Sequence, residues 1–264
     1  MSDFDRNYAS PFGQATTRAD AAAVDAGLRA YMLKIYNYMT IGLAITGFAA
    51  LGVYMAAVTG DASGAAARIG ANTYLTSFGY AMFVSPLKWA FILAPLAMVF
   101  VISFGIQRLK PATAQMLFWV FSALMGVSLS SIFLVYTHTS IVRVFFITAA
   151  AFGTLSLYGY TTKRDLSGMG SFLLMGLFGI IIASLVNLII GSSMLQFVVS
   201  VIGVLVFAGL TAWDTQRLKS EYIYGYASAG GEAAERTAIM GALSLYLNFI
   251  NLFTLLLQLL GQRE

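Results

Sequence analysis

Three polar side chains sit where an apolar sequence would not place them without reason. Asp214 lies in the run GLTAWDTQRLK, at the end of a long uncharged stretch. Asn248 and Asn251 lie inside another, TAIMGALSLYLNFINLFTLLLQLLGQ (237–262), which carries no charge between Arg236 and Arg263. A spacing of i,i+3 puts the two amides on one helical face. A side-chain amide turned to lipid lacks partners, so that face must look into protein or water. The chemistry open to one carboxylate and two amides is the binding of a cation or a proton. For Asp214 two readings stand: a carboxylate in such a pocket, or a helix-end carboxylate paired with Arg217 or with water. Asn248 lies about a dozen residues into its helix from the same side as Asp214, close enough along the rise for the two to meet. Asn251 is read either as a helix-packing amide or as part of the same pocket. Asn187 and Gln196 are two further amides in apolar stretches, expected to hydrogen-bond between helices.

Other chemistries find no support. The single histidine, His138, falls between Thr137 and Thr139 and is read as a solvated loop group. It removes the common multi-histidine metal sites. GVSLS at 126–130 has no histidine inside a span to activate a serine. An aspartyl intramembrane protease needs two aspartates in spans, and only Asp214 qualifies. A retinal pump needs a lysine in the middle of the last span, which has none. Gly168-Met169-Gly170 is a glycine pair without a phosphate-loop lysine. With no cysteine there is no thiol or disulfide chemistry. The sequence is therefore read as a non-enzyme with no cofactor.

The elements that must position these groups are membrane spans. Of the 264 residues 59% are hydrophobic and 10% charged, against roughly 25% charged in soluble domains. About 20 apolar helical residues cross a hydrocarbon core of roughly 30 Å. Seven stretches meet that length: 35–58, 89–107, 112–136, 144–162, 171–190, 195–213 or beyond, and 237–262. The expected fold is an all-α integral membrane protein, a bundle of seven transmembrane helices. Residues 1–30 are read as a polar cytoplasmic tail and 31–262 as one membrane domain. The start MSDFDRNYASPFGQ is polar and lacks the apolar core of a cleavable signal. Helix is expected near 20–34, where Leu28, Tyr31, Met32 and Ile35 share a face. That face reads either as an interfacial lead-in or as the first turns of the first span. Gly42, Thr46 and Ala50 recur every fourth residue and allow close helix approach. The segment 74–86 is apolar but too short to cross, so it belongs at the interface or in a re-entrant turn. Pro95 is expected to kink the second span. Gly191, Ser192 and Ser193 divide an uncharged run too long for one helix.

The basic residues distribute unequally over alternate loops. Eleven of the fifteen Lys and Arg (Arg6, Arg18, Arg29, Lys34, Arg108, Lys110, Lys163, Arg164, Arg217, Lys219 and Arg236) fall on the side of the N-terminus. Arg68, Lys88, Arg143 and Arg263, the remaining four, fall on the other. By the positive-inside rule the N-terminus is cytoplasmic and the C-terminus outside. The formal charge of +4 is spread over short loops, which suits an anionic membrane surface and no nucleic acid.

ALSLYLNFINLF (242–253), WDTQRLK (213–219) and KRDLS (163–167) together resemble the Bax inhibitor-1, or transmembrane Bax inhibitor motif, family. The order and spacing of the pieces fit, and the tail and long first loop are similar to those of bacterial members. The resemblance implies seven helices with the C-terminal one central, and a passive, pH-sensitive calcium leak. It further implies a gate of two aspartates, one near the end of the sixth span and one in the seventh. Asp214 matches the first; Asn248 stands at the second, so the proton-sharing pair is incomplete. The expected function is a bacterial inner-membrane protein that leaks cations, calcium foremost, with Asp214 as a transient metal ligand and lipid, calcium or protons as partners. The alternative is a non-conducting scaffold that binds other membrane proteins, such as a quality-control protease.

Overall fold

The computed structural model describes residues 18–63, 65–69, 73–106, 108–226 and 231–263. The first 17 residues of the expected tail lie outside them. Among the described residues seven helices are long and apolar enough to cross a membrane. These are α1 (Arg18–Ala57), α3 (Lys88–Gly105), α4 (Pro111–Leu129), α5 (His138–Thr161), α6 (Ser167–Ile190), α7 (Ser193–Glu221) and α8 (Glu232–Leu260). The eighth helix, α2 (Ser77–Phe83), has seven residues and does not cross.

The first loop holds what the sequence pattern did not reveal. Strands β1 (Val58–Thr59), β2 (Ala67–Arg68) and β3 (Tyr74–Leu75) form a small antiparallel sheet in the order β1-β3-β2. Thr76 then caps α2, its hydroxyl accepting from the Gly79 N–H at 3.1 Å. The apolar segment 74–86 is thus a strand and a short helix folded back on the end of α1.

Helix α1 runs unbroken through residue 30, the boundary expected between tail and membrane domain. Leu28, Tyr31, Met32 and Ile35 are all buried in the main core. The face is thus packed against the rest of the bundle. The small-residue face of α1 meets α4: Gly42 lies against Phe118, and the Thr46 hydroxyl donates to the Ser122 carbonyl at 2.9 Å. Helix α3 continues on both sides of Pro95. His138 is not in a loop but opens α5, with Tyr54 edge-on to its ring at 5.4 Å. Gly191 ends α6 at φ 68°, a left-handed conformation that glycine adopts without strain, and Ser192 caps α7.

Helix α8 is the centre. Thirteen of its 29 residues are buried, against three of 24 in α6. It packs against α1, α4, α5 and α7. Tyr246 sits at its middle, fully buried, between Phe118 and Phe121 of α4, with its hydroxyl 2.6 Å from that of Thr46. The C-terminal helix is therefore enclosed by the others.

Contacts between connections sort the loops onto two ends. At one end Lys34 pairs with Glu235, Arg236 donates to the Leu109 carbonyl, and Gln216 donates to the Arg164 carbonyl. At the other, Tyr136 bridges to Arg263 and the Thr137 N–H donates to the Gln262 carbonyl. The first is the end that carries the larger share of Lys and Arg.

Candidate functional site

Asp214 lies in α7, seven residues before that helix ends at Glu221, about 10 Å by helical rise. The helix continues that far because its charged side chains satisfy one another along one face. Arg217, three residues on, reaches back with one guanidinium nitrogen 2.8 Å from Asp214 Oδ1. Its Nε lies 3.6 Å from Glu221 Oε1, and its guanidinium carbon is 4.9 Å from the centre of the Trp213 ring. Trp213 in turn covers Gly170 of α6, where any Cβ would strike the indole.

The other carboxylate oxygen belongs to α8. Asp214 Oδ2 accepts from the Ser244 hydroxyl at 2.8 Å and from Asn248 Nδ2 at 2.7 Å. Ser244 and Asn248 are one turn apart, so both amide and hydroxyl point at the same oxygen. Asp214 is 4% exposed and Asn248 6%. A carboxylate so far from water needs its lone pairs filled by donors and its charge balanced. Here the two α8 donors and Arg217 do both.

Both readings of Asp214 thus meet in one arrangement. It is paired with Arg217, and it also touches the amide of the central helix. Asn251 is not brought to it. The Asn251 amide donates to the Leu247 carbonyl of its own helix at 2.8 Å. Asn187 does not bond between helices either: its Oδ1 accepts from the Ser192 N–H at 3.0 Å and closes the α6–α7 turn. Gln196 is exposed and makes no side-chain hydrogen bond among the described residues. Among those residues no group of three or more His, Asp or Glu could hold a metal. A cation at Asp214 would meet one carboxylate, the Asn248 amide and water.

Several polar contacts escaped the sequence reading. Ser244 is the clearest, since a serine in an apolar helix carries no signal apart from lying four residues before Asn248. Ser156 of α5 bridges Thr215 of α7 at 2.9 Å and Tyr36 of α1 at 2.5 Å. Gln258 accepts from Ser200 at 2.8 Å. Each pairs residues far apart in the chain, which no local pattern reports.

The sequence is similar to known proteins along nearly its whole length. Residues 28–264 match the family described as inhibitor of apoptosis-promoting Bax1. The inner membrane protein YbhL of Escherichia coli K12 is 46% identical over 241 residues, covering 90% of this chain and 94% of its own. An uncharacterised protein of Rickettsia prowazekii is 46% identical over 249 residues, 94% of this chain and 96% of that one. One from Caulobacter vibrioides is 43% identical over 262 residues, 99% and 98% respectively. With seven apolar helices among the described residues, the C-terminal one central, and this likeness along nearly its whole length, the chain is a membrane protein belonging to the Bax inhibitor-1 family.

Proposed function

We propose that this protein is a passive cation leak of the inner membrane, with calcium as the transported ion and Asp214 as the group that the ion meets. What carries the reading is the placement of that carboxylate. It lies inside a membrane bundle, at the contact of α7 with the central helix, and its donors come from both. Intramembrane carboxylates are costly and mark ion or proton paths. In this reading the leak is closed when Arg217, 2.8 Å from Asp214, holds the position a cation would take. The N-terminus is cytoplasmic in this proposal, and Asp214 faces the cytoplasmic end. Single cysteines at Ser2 and Gln262 check the orientation, because the native chain has none. A membrane-impermeant thiol reagent added to intact cells should label the second and spare the first.

The pH response depends on Asn248. An amide can bond to Asp214 but brings no second negative charge. Asn248→Asp would place two carboxylates in contact at nearly constant volume, and such a pair shares a proton or repels. Repulsion would separate α7 from α8. The variant should therefore pass more calcium at neutral pH than the native protein and lose it more steeply on acidification. Asp214→Asn should lower calcium flux roughly tenfold, the loss expected when a buried ion site gives up its charge. Both are read as calcium entry into liposomes carrying an internal indicator. Superimposed curves for all three proteins would overturn the leak reading. They would favour the scaffold reading, which the complete pairing of Asp214 also suits: a bundle that stays shut and presents its surface to another membrane protein.

A further inference from the structure

The polar character of α8 does not stop at Asn248. Ser244, Asn248, Asn251, Leu255 and Gln258 follow one another at steps of four, three, four and three. At about 100° per residue they fall within one narrow stripe along the helix. Four of the five are polar, and the stripe runs from the Asp214 end of the bundle to the opposite end. There it meets a second polar feature. Ser184 and Asn187 of α6, Gln196 of α7 and Gln258 of α8 line a cavity of about 430 Å³, with Leu255 and Val199 on its wall. Ser200, below its rim, is buried and donates to Gln258.

This cavity differs from two others between α1 and α5. One is lined almost wholly by Leu, Ile, Val, Phe and Ala between α1 and α5, with a volume of about 270 Å³. The other, of about 610 Å³, is mostly apolar and lies further along the same seam. Acyl chains suit both. The α6–α7–α8 cavity is lined by three side-chain amides and a serine. Those amides are only partly matched within the protein: Gln196 has no side-chain partner among the described residues, while Asn187 and Gln258 use their carbonyl oxygens on Ser192 and Ser200. Amide groups left over in an apolar bundle need water.

The floor is one contact. Leu255 packs on Gly203 so closely that a Cβ at residue 203 would lie 2.7 Å from the Leu255 Cδ1. Beneath it Phe207, Leu210 and Leu252 are buried against one another, and Asn251 is the next polar group on the stripe. Leu255 stands five residues from the end of α8, about 8 Å in.

We propose that the cavity lined by Ser184, Asn187, Gln196 and Gln258 is a water-filled vestibule that admits hydrated cations from the end of the bundle opposite Asp214, and that Leu255 seated on Gly203 closes it. The vestibule and Asp214 are then the two aqueous approaches to one polar stripe, separated by an apolar segment that holds no water. Hydrophobic constrictions of this kind stop ions by staying dry. The inference extends the leak reading to the path and its barrier, but its test does not need flux.

Single cysteines at Gln196, Gln258 and Asn251, each in the full-length protein in proteoliposomes, are exposed to a membrane-impermeant cationic thiosulfonate. Gln196→Cys and Gln258→Cys should react, and Asn251→Cys should not. Adding Leu255→Ala to Asn251→Cys should speed its reaction roughly tenfold or more, because the dry segment is then breached. Gln196→Cys removes no hydrogen bond, so it remains readable if Gln258→Cys perturbs folding. Protection of Gln196→Cys, as an acyl chain in the cavity would give, overturns the vestibule. Fast reaction of Asn251→Cys with Leu255 intact overturns the closure. The expected labelling without any calcium entry supports the vestibule while removing the leak reading, so the two fail separately.

Discussion

Helices α6 and α8 are both uncharged through their central turns, yet they occupy opposite environments. In α6 the side chains of Phe172, Phe178, Leu188 and Ile189 are exposed at the bundle's outer surface, Ile189 by 88%. In α8 the buried set includes Ala242, Leu245, Tyr246, Asn248 and Leu252. The more polar helix is the more enclosed one. In water the order would be reversed, because burial there follows apolarity. In a bilayer lipid satisfies Leu and Ile as well as a protein core does, so apolarity does not select the centre. Hydroxyls and amides do, since they must find partners inside.

That contrast can be broken where it is strongest. Tyr246→Ala removes a fully buried ring, two edge-to-face aromatic contacts and the bond to Thr46. It should cost about 3–5 kcal/mol, seen as a large fall in the thermal unfolding midpoint in detergent. A Tyr246→Ala protein as stable as the native one would mean that α8 is not the centre. Next comes Asn248→Leu, which keeps the branched shape of the side chain and leaves Asp214 Oδ2 with Ser244 alone on α8. A lost bond to a buried carboxylate costs about 1.5–3 kcal/mol. Asn251→Leu serves as its partner experiment. Its amide bonds only to its own helix, so the change should stay within roughly 1 kcal/mol. Equal losses at 248 and 251 would erase the distinction drawn between the two amides. The smallest effect belongs to α6: Ile189→Ala should shift stability by no more than about 0.5 kcal/mol, since nothing in the protein covers that side chain.

How much of this was readable beforehand follows the same division. The seven spans were legible because lipid demands long uncharged runs, and Gly191 marked the α6–α7 turn by its type. The expected first span, 35–58, matches the part of α1 beyond Lys34, whose pairing with Glu235 marks one end of the bundle. Asp214 and Asn248 were legible as candidates because each is chemically out of place. Their mutual contact followed from depth along two helices. The far end of α7 was harder, because Asp214, Arg217 and Glu221 look like a loop until their pairing along a helix is seen. The β1–β3 sheet left no trace: strands of two residues have no periodicity. Asn187 misled for a physical reason. An amide near a helix end competes for local N–H groups, and the Ser192 N–H was nearer than any neighbouring helix.

The length of α1 has a mechanical meaning. Forty residues make a rod of about 60 Å, twice the roughly 30 Å of hydrocarbon it crosses. No joint divides the part before Lys34 from the part within the bilayer. The outer part is held against the end of α7, where Tyr31 stacks on Tyr222 with ring centres 5.0 Å apart, eight residues past Asp214. A stiff beam clamped there behaves as a lever. A load applied to its N-terminal arm outside the membrane is delivered as torque to the α7 end that carries Arg217, and to the α1–α4 contact at Gly42 on the other side of the fulcrum. The first turns of α1 and the end of α7 near the carboxylate are thus joined by geometry, without any ligand passing between them.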